Sequence, residues 1–351
     1  MMKEQTGKIS HSFFKEFIID KCGKQRQEVE VGPRFGVDVS VVNLPHGQAM
    51  AVASDPLSLI PSLGLRESAW LSVQLATNDI STTGFSPMYG QFVLNLPADF
   101  PQKDFQTYWD YIHQFCEEIG IAITGGHTGF IEGQNSTIAG GATLMTIAPK
   151  NEILTSKDAQ SGDVILVTKS SGISSAAILA MSFPETVKNK VGMEHYERAC
   201  ESFYDISVLK EGLIATEGES KNGVTAMHDV TEGGVLGAIY EMAIASNNGA
   251  LIYDDKLPIA ETQLRVCEVF SLDPPYCTGA GSMIITCKKE AAQTVINKLN
   301  KNNIPCAEVG AITDKKHGIK LKKGNKESEL IYQEKDPYWE AFFKALKSGW
   351  K

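Results

Sequence analysis

Three aspartates in the first half of the chain stand where regular structure is expected to give out, and carboxylates so placed can hold Mg²⁺ against phosphate. Asp38 closes the glycine-punctuated segment Gly32-Pro-Arg-Phe-Gly-Val-Asp38. Asp55 follows the expected strand Ala49–Ser54, and Pro56 behind it is expected to halt regular pairing. Asn78-Asp79 falls late in a helical pattern that ends by Gly84. Mg²⁺ takes hard oxygen ligands and keeps several of its waters, so loosely grouped carboxylates suit it. Taken singly, each aspartate is better explained as a turn or helix cap than as a ligand. Asp79 resists that explanation most, because it lies inside an otherwise apolar-striped helix.

Other segments offer glycines, hydroxyls and helix starts that could receive an anion. Thr124-Gly-Gly-His-Thr128 follows a short apolar strand. Paired glycines there would let backbone amides approach a phosphate, although a plain tight turn explains them as well. His228-Asp229-Val-Thr-Glu-Gly-Gly234 leaves a strand and opens a helix, which places Asp229 beside an anion-friendly corner. Its rival is a helix cap with nothing bound. Lys169-Ser-Ser-Gly172 is a second strand-to-helix turn with hydroxyl and amide donors. Neither GxxxxGK[ST] nor GxGxxG occurs, so the common nucleotide folds are not supported.

The elements that must position these residues alternate in type. In the first ~150 residues, strands are expected at Val39–Leu44, Ala49–Ser54, Gly90–Leu96, Ile121–Thr124 and Thr137–Ile147. A helix from Glu67 to about Thr83 puts Trp70, Val73, Thr77 and Ile80 on one stripe. Another, from Asp104 to Ile119, repeats Phe105, Trp109, Ile112, Cys116 and Ile119 before the stop at Gly120. Pro149 to Gly162 is polar and reads as a linker. Beyond it come strands at Asp163–Thr168, Val224–His228, Ala250–Asp254, Ser282–Cys287, Ala307–Ile312 and Ile319–Lys322. Helices are expected at Ser174–Met181, Val235–Ser246 and Lys289–Lys301. The aromatic stretch Tyr338 to Trp350 is amphipathic and reads as a segment docking on its own core.

With 351 residues, the chain is too long for one ordinary core, and two domains of similar content are expected, 1–150 and 151–351. A net charge of −9 argues against an extended nucleic-acid surface. The one basic stretch, Lys315 to Lys326, reads as a solvated sheet edge. No apolar run reaches the ~20 residues that span a bilayer. Met1 to Lys15 has no signal-peptide core. Seven cysteines occur without metal-ligand spacing, which fits buried thiols in a reducing, cytoplasmic setting.

Taken in order, these segments resemble the AIR synthase (PurM) superfamily. It includes aminoimidazole ribonucleotide synthetase, formylglycinamide ribonucleotide amidotransferase, selenophosphate synthetase, thiamine-monophosphate kinase and the hydrogenase-maturation protein HypE. The ordered set carries the likeness: Gly32-Pro through Gly36-Val-Asp38, Ala53-Ser-Asp55-Pro, Asn78-Asp-Ile-Ser-Thr-Thr-Gly84, Gly125-Gly-His-Thr128, Lys169-Ser-Ser-Gly-Ile173, and Asp229-Val-Thr-Glu-Gly-Gly-Val-Leu236 running to Glu241-Met-Ala243. Gly7-Lys-Ile, Asp55-Pro56, Leu272-Asp-Pro274 and Glu308-Val-Gly310 are most similar to the HypE branch.

The resemblance implies an α/β (α+β) protein of two PurM-like domains. The N-terminal sheet would pair with a second subunit's into a barrel, making a homodimer, and the C-terminal domain would close over an ATP groove. It implies Asp38, Asp55, Asp79 and Asp229 as Mg²⁺–phosphate carboxylates, with Asp79 and Asp229 catalytic. Asn78, Gly125, Gly126, Thr128, Lys169, Ser170, Ser171 and Gly172 would line the phosphates. Cofactors would be ATP and Mg²⁺, and the chemistry activation of an amide or carbonyl oxygen of a small substrate by phosphorylation. A maturation partner protein also follows; nucleic acid and membrane do not. HypE ends in a cysteine that is carbamoylated and dehydrated to a thiocyanate, whereas the last cysteine here is Cys306. The N-terminal loop of selenophosphate synthetase carries a reactive cysteine or selenocysteine, where this chain reads Ile9-Ser-His-Ser-Phe-Phe-Lys15. Alternatives are therefore a non-catalytic nucleotide-binding scaffold, or a phosphotransferase of the thiamine-monophosphate-kinase or selenophosphate-synthetase type.

Overall fold

A computed structural model of the chain describes residues 7–218 and 223–351; the start of the expected polar N-terminus, residues 1–6, lies outside them. After a short helix α1 (His11–Phe17), six strands build the first sheet: β1 (Val29–Val31), β2 (Ser40–Asn43), β3 (Gln48–Ser58), β4 (Tyr89–Pro97), β5 (Ala122–Ile131) and β6 (Ile138–Pro149). Their order is β1-β2-β3-β6-β4-β5, antiparallel except for β4 beside β5. Helices α2 (Leu65–Ser81) and α3 (Gln102–Ile119) cover one face.

Strand alternation sends Ala49, Ala51, Ala53 and Leu57 of β3 inward, together with Phe92, Leu94 and Leu96 of β4 and Ala142 and Leu144 of β6. Short alanines there let α2 sit close to β3. The helical stripe behaves as its spacing predicts, with Val73, Thr77 and Ile80 fully buried. The opposite face of the sheet is uncovered and leaves Val93, Ile131 and Ile147 exposed.

Two expectations for this half are corrected. Pro56 does not halt β3, which runs on to Ser58 with a register shift after Pro56. β2 pairs with β3 only as far as Val52, so beyond it one side of β3 is a free edge, where proline's missing N–H is tolerated. Gly125-Gly126 is not a turn after a short strand but part of β5, placed just after a register shift against β4. A Cβ on Gly126 would meet the Phe92 carbonyl oxygen at 1.8 Å, so this close backbone crossing requires glycine.

The second sheet has seven strands: β7 (Val164–Thr168), β8 (Val224–Asp229), β9 (Gly249–Tyr253), β10 (Met283–Cys287), β11 (Cys306–Thr313), β12 (Ile319–Lys323) and β13 (Lys326–Glu329). The order is β13-β12-β9-β11-β7-β10-β8, with β12 and β9 the parallel pair. β7 and β10 are buried along their whole length, as their unbroken apolar sequences require. Around the sheet lie α4 (Ile173–Ser182), α5 (Pro184–Val191), α6 (Met193–Glu201), α7 (Leu209–Ala215), α8 (Gly234–Ala245), α9 (Glu261–Val269), α10 (Lys289–Lys301) and α11 (Pro337–Lys347). Sequence periodicity finds α4, α8 and α10 but not the short α5, α6, α7 and α9. The basic stretch is the β12–β13 edge hairpin. The C-terminal aromatics do dock on the protein's own core: Tyr338, Phe342 and Trp350 pack with Phe183 and Phe270.

Candidate functional site

Helix α2 of the first half packs against β8 of the second, and four aspartates distant in sequence converge there. Asp38 sits in the β1–β2 loop. That loop presses on α8 through Gly36 (φ +73), where a Cβ would come within 2.3 Å of the Glu241 carbonyl. Ser156 Oγ donates to the Gly36 carbonyl at 2.5 Å and pins it from the other side. Asp55 lies on the inward face of β3, Asp79 in the last turn of α2, and Asp229 at the end of β8. Each feels its neighbours: the charges of Asp229, Asp55 and Asp38 all bear on Asp79.

Beside the aspartates runs a buried chain of charges that sequence reasoning did not single out. His228 Nδ1 is 2.6 Å from Asp38 Oδ1, and its Nε2 is 3.2 Å from Glu241 Oε2. Tyr332 donates to Glu241 Oε1 at 2.6 Å, and the half-exposed Lys8 ammonium lies 3.4 Å from Glu241 Oε2. With both ring nitrogens facing carboxylates, metal-free His228 is held as a counter-charge; it also stands with Asp38 and Asp229 in a group that could hold a metal ion. Burial alone would lower its pKa, but Asp38 and Glu241 outweigh burial and raise it to about 10. Glu241 is likewise held down to about 2: burial works against this, and Lys8, His228 and Tyr332 win.

Asp55, Asp79 and Asp229 lack such close partners. Burial, then the Asp38 charge, pushes Asp229 up to about 8. Burial carries Asp55 to about 6 and Asp79 well above the usual carboxylate range. Asp38 Oδ2 is buried without a hydrogen-bond partner. Among the described residues, Lys8 and His228 face Asp38, Asp55, Asp79, Asp229 and Glu241, so the fully ionised cluster would be short of positive charge by three. A hard divalent cation fits this donor set, since its oxygens are carboxylates and several are unengaged.

The other expected phosphate contacts are differently employed. Asn78 is fully buried; its Nδ2 donates to the Ile206 carbonyl and its Oδ1 accepts from Val208 N–H, both at 2.9 Å, tying α2 to the second half. Lys169 donates to the carbonyls of Asp205 and Ser207 at 2.7 Å and pairs with buried Glu211 at 2.5 Å. Ser170 Oγ accepts from Ala260 N–H at 2.9 Å, Ser171 N–H donates to Pro258, and Gly172 (φ +73) packs against Pro274. Gly125, Gly126 and Thr128 are exposed on the edge strand β5. Asp55 aligns with Ala142, Ala142 with Phe92, and Phe92 with Gly126, so three strand spacings, about 14 Å, separate the glycine from the cluster. The expected anion corner at the start of α8 is filled from within. Asp336 accepts from Gly233 N–H at 2.7 Å and from Thr278 at 2.9 Å, because the C-terminal segment returns across that helix end.

Glu241, part of the family likeness but given no role there, carried a readable signal: it is the lone acid in the apolar helix Gly-Val-Leu-Gly-Ala-Ile-Tyr-Glu. Tyr332, 91 residues from its partner in a polar segment, carried none.

Two α+β halves, each built on its own sheet, form a PurM-like fold. The family models for AIR synthase related protein match here, the N-terminal domain over residues 36–146 and the C-terminal domain over 160–322. The chain belongs to that family. It is 27% identical to a selenide, water dikinase of Methanococcus maripaludis, over 85% of this chain and 89% of the relative. To the carbamoyl dehydratase HypE of Cupriavidus necator it is 24% identical, over 75% and 72%. The crystal structure of a HypE–HypF complex superposes with a TM-score of 0.73 at 19% identity, covering 92% of this chain and 100% of that one. HypE in complex with ATP superposes at 0.68 and 17% identity, covering 95% and 97%. These likenesses establish the fold.

Proposed function

We propose that this chain is a Mg²⁺- and ATP-dependent enzyme that phosphorylates an amide or carbonyl oxygen of a small substrate, in the maturation of hydrogenase or another metallocofactor. The observation that carries the reading is the convergence of Asp38, Asp55, Asp79 and Asp229 with carboxylate oxygens that no described residue satisfies. Bound there, Mg²⁺ would supply the charge that draws polyphosphate to the cluster and offsets charge developing on the transferred group. The protein's part is to hold the oxygens in place. Asp38 is oriented by His228, Asp229 and Asp79 are fixed at the ends of β8 and α2, and Lys8 contributes a cation at the rim. The relatives support the class of chemistry: one is named a carbamoyl dehydratase and one a dikinase, and a solved HypE is described with ATP.

The reading extends to a cytoplasmic homodimer joined through the uncovered face of the first sheet, with residues 1–150 and 151–351 as its domains. It includes a partner protein of the maturation kind, for which the HypE–HypF complex is the support. The test is ADP formation from ATP with Mg²⁺, alone and with a panel of carbamate, amide and carboxylate acceptors, compared with Asp79→Asn and Asp229→Asn. Turnover dependent on Mg²⁺ and on both aspartates supports the reading; nucleotide binding without turnover for any acceptor favours the scaffold alternative. A second reading rests on the dikinase relative, which matches most of both chains: acceleration by selenide, and by no amide or carboxylate, would favour it.

A further inference from the structure

We propose that Tyr332 is a positioning residue for the Asp38 carboxylate, acting from the C-terminal segment through Glu241 and His228; the inference rests on the cation reading above. The relay is continuous. The Tyr332 phenol donates to Glu241 Oε1 at 2.6 Å, Glu241 Oε2 faces His228 Nε2 at 3.2 Å, and His228 Nδ1 meets Asp38 Oδ1 at 2.6 Å. It ends on Asp38 Oδ2, buried and without a partner, the oxygen left for a cation. Each intermediate group is almost wholly buried, so none can exchange its partner for water.

Tyr332 is itself held in place. Its ring stacks on Tyr240 with centroids 4.9 Å apart and meets Phe35 edge-on at 5.5 Å. Phe35 belongs to the same β1–β2 loop as Asp38, and His11 stacks on its other side at 4.0 Å. The C-terminal segment therefore grips the Asp38 loop twice, through the Phe35 ring and through the relay, whose last link, His228 to Asp38, is an ion pair. The segment is anchored on either side of Tyr332: Leu330 N–H bonds the Ile319 carbonyl, and Asp336 bonds Gly233 and Thr278. Glu241 must share two oxygens among Lys8, His228 and Tyr332. Removing the phenol frees one oxygen, lets the carboxylate turn toward Lys8, and loosens the imidazolium that aims Asp38. Partners one step outside a metal's ligands act in this way on affinity.

Mn²⁺ binding followed by electron paramagnetic resonance tests the proposal on wild type, Tyr332→Phe, Tyr240→Phe and Glu241→Gln, with thermal melts on the same samples. Tyr332→Phe should weaken Mn²⁺ about tenfold, the low end of what such partners contribute, while Tyr240→Phe matches wild type. In kinetics, the KM for Mg²⁺ should rise by a similar factor with kcat at saturation little changed, a split that general loss of structure would not give. Glu241→Gln should weaken Mn²⁺ at least as much, and adding Tyr332→Phe to it should add little, because both act along one path. Wild-type Mn²⁺ affinity in Tyr332→Phe overturns the proposal. A wild-type protein that binds no Mn²⁺ overturns the cation reading itself, a different and recognisable result.

Discussion

At the ends of α2 and β8, Asp55, Asp79 and Asp229 crowd together with no hydrogen-bond donor among the described residues. At the end of β7, the Lys169–Gly172 turn has its lysine and the Ser170 hydroxyl engaged by the protein itself, while the Ser171 hydroxyl is buried without a partner. Both looked suited to phosphate in the sequence. The difference is one of charge: Lys169 is paired with Glu211, whereas the aspartates face one another. A buried polar group already bonded contributes to folding, whereas buried carboxylates left facing one another must take up protons or be joined by a cation. Uncompensated buried charge is the better marker of a site than residue type.

The largest effect separating the two regions should be on stability. Lys169→Met leaves Glu211 buried without its cation and should lower unfolding free energy by about 3 kcal/mol, read by urea denaturation, with Glu211→Gln in the same chain recovering most of it. Cation affinity should be unchanged in the folded fraction; a parallel loss would put the turn in the site after all. Asp79→Asn should do the reverse. Mg²⁺-dependent turnover should fall about 10²–10³-fold, while the metal-free melting temperature rises, because one member of a mutually repelling set is gone.

A pH series sharpens the contrast at smaller scale. In the folded, metal-free protein Asp229 titrates near 8 and Asp55 near 6, both above the ordinary carboxylate value that the unfolded chain would show. The folded state therefore binds more protons than the unfolded between about pH 4 and pH 8, and metal-free stability should decline as pH rises through that window, by of order 1 kcal/mol per pH unit. Saturating Mg²⁺ should flatten the decline; an unchanged slope would mean that the cluster does not take the ion. The smallest effect is expected at the sheet edge. Thr128→Ala should leave nucleotide affinity within about twofold and stability within about 0.5 kcal/mol, as for an ordinary exposed site. A tenfold loss of affinity would show that β5 reaches a nucleotide in the assembled protein.

Most strands were legible because they are β-branched or alternating, and α2 and α3 because they carry apolar stripes, whereas the short edge strands β1 and β13 were not. The four aspartates were legible as an ordered set, and Asp79 also as an anomaly within an apolar helix. What could not be read was the use of a side chain already committed elsewhere. Asn78 looks like a ligand beside Asp79, but its amide is taken by Ile206 and Val208, contacts more than a hundred residues away in sequence. The glycine pair of β5 looked like a phosphate turn because close backbone packing and ligand approach call for the same residue. His228, Glu241 and Tyr332 form a site component only through tertiary contact.

The central claim, that the aspartate cluster is a Mg²⁺–nucleotide site, is tested most directly by calorimetric titration of the metal-free protein with ATP and Mg²⁺. The titration is run in two buffers of different ionisation heat, with Asp38→Asn alongside. The account predicts binding that requires Mg²⁺, releases protons as the raised carboxylates ionise around the ion, and is lost in Asp38→Asn. Nucleotide binding that is indifferent to Mg²⁺ and retained in Asp38→Asn would contradict it.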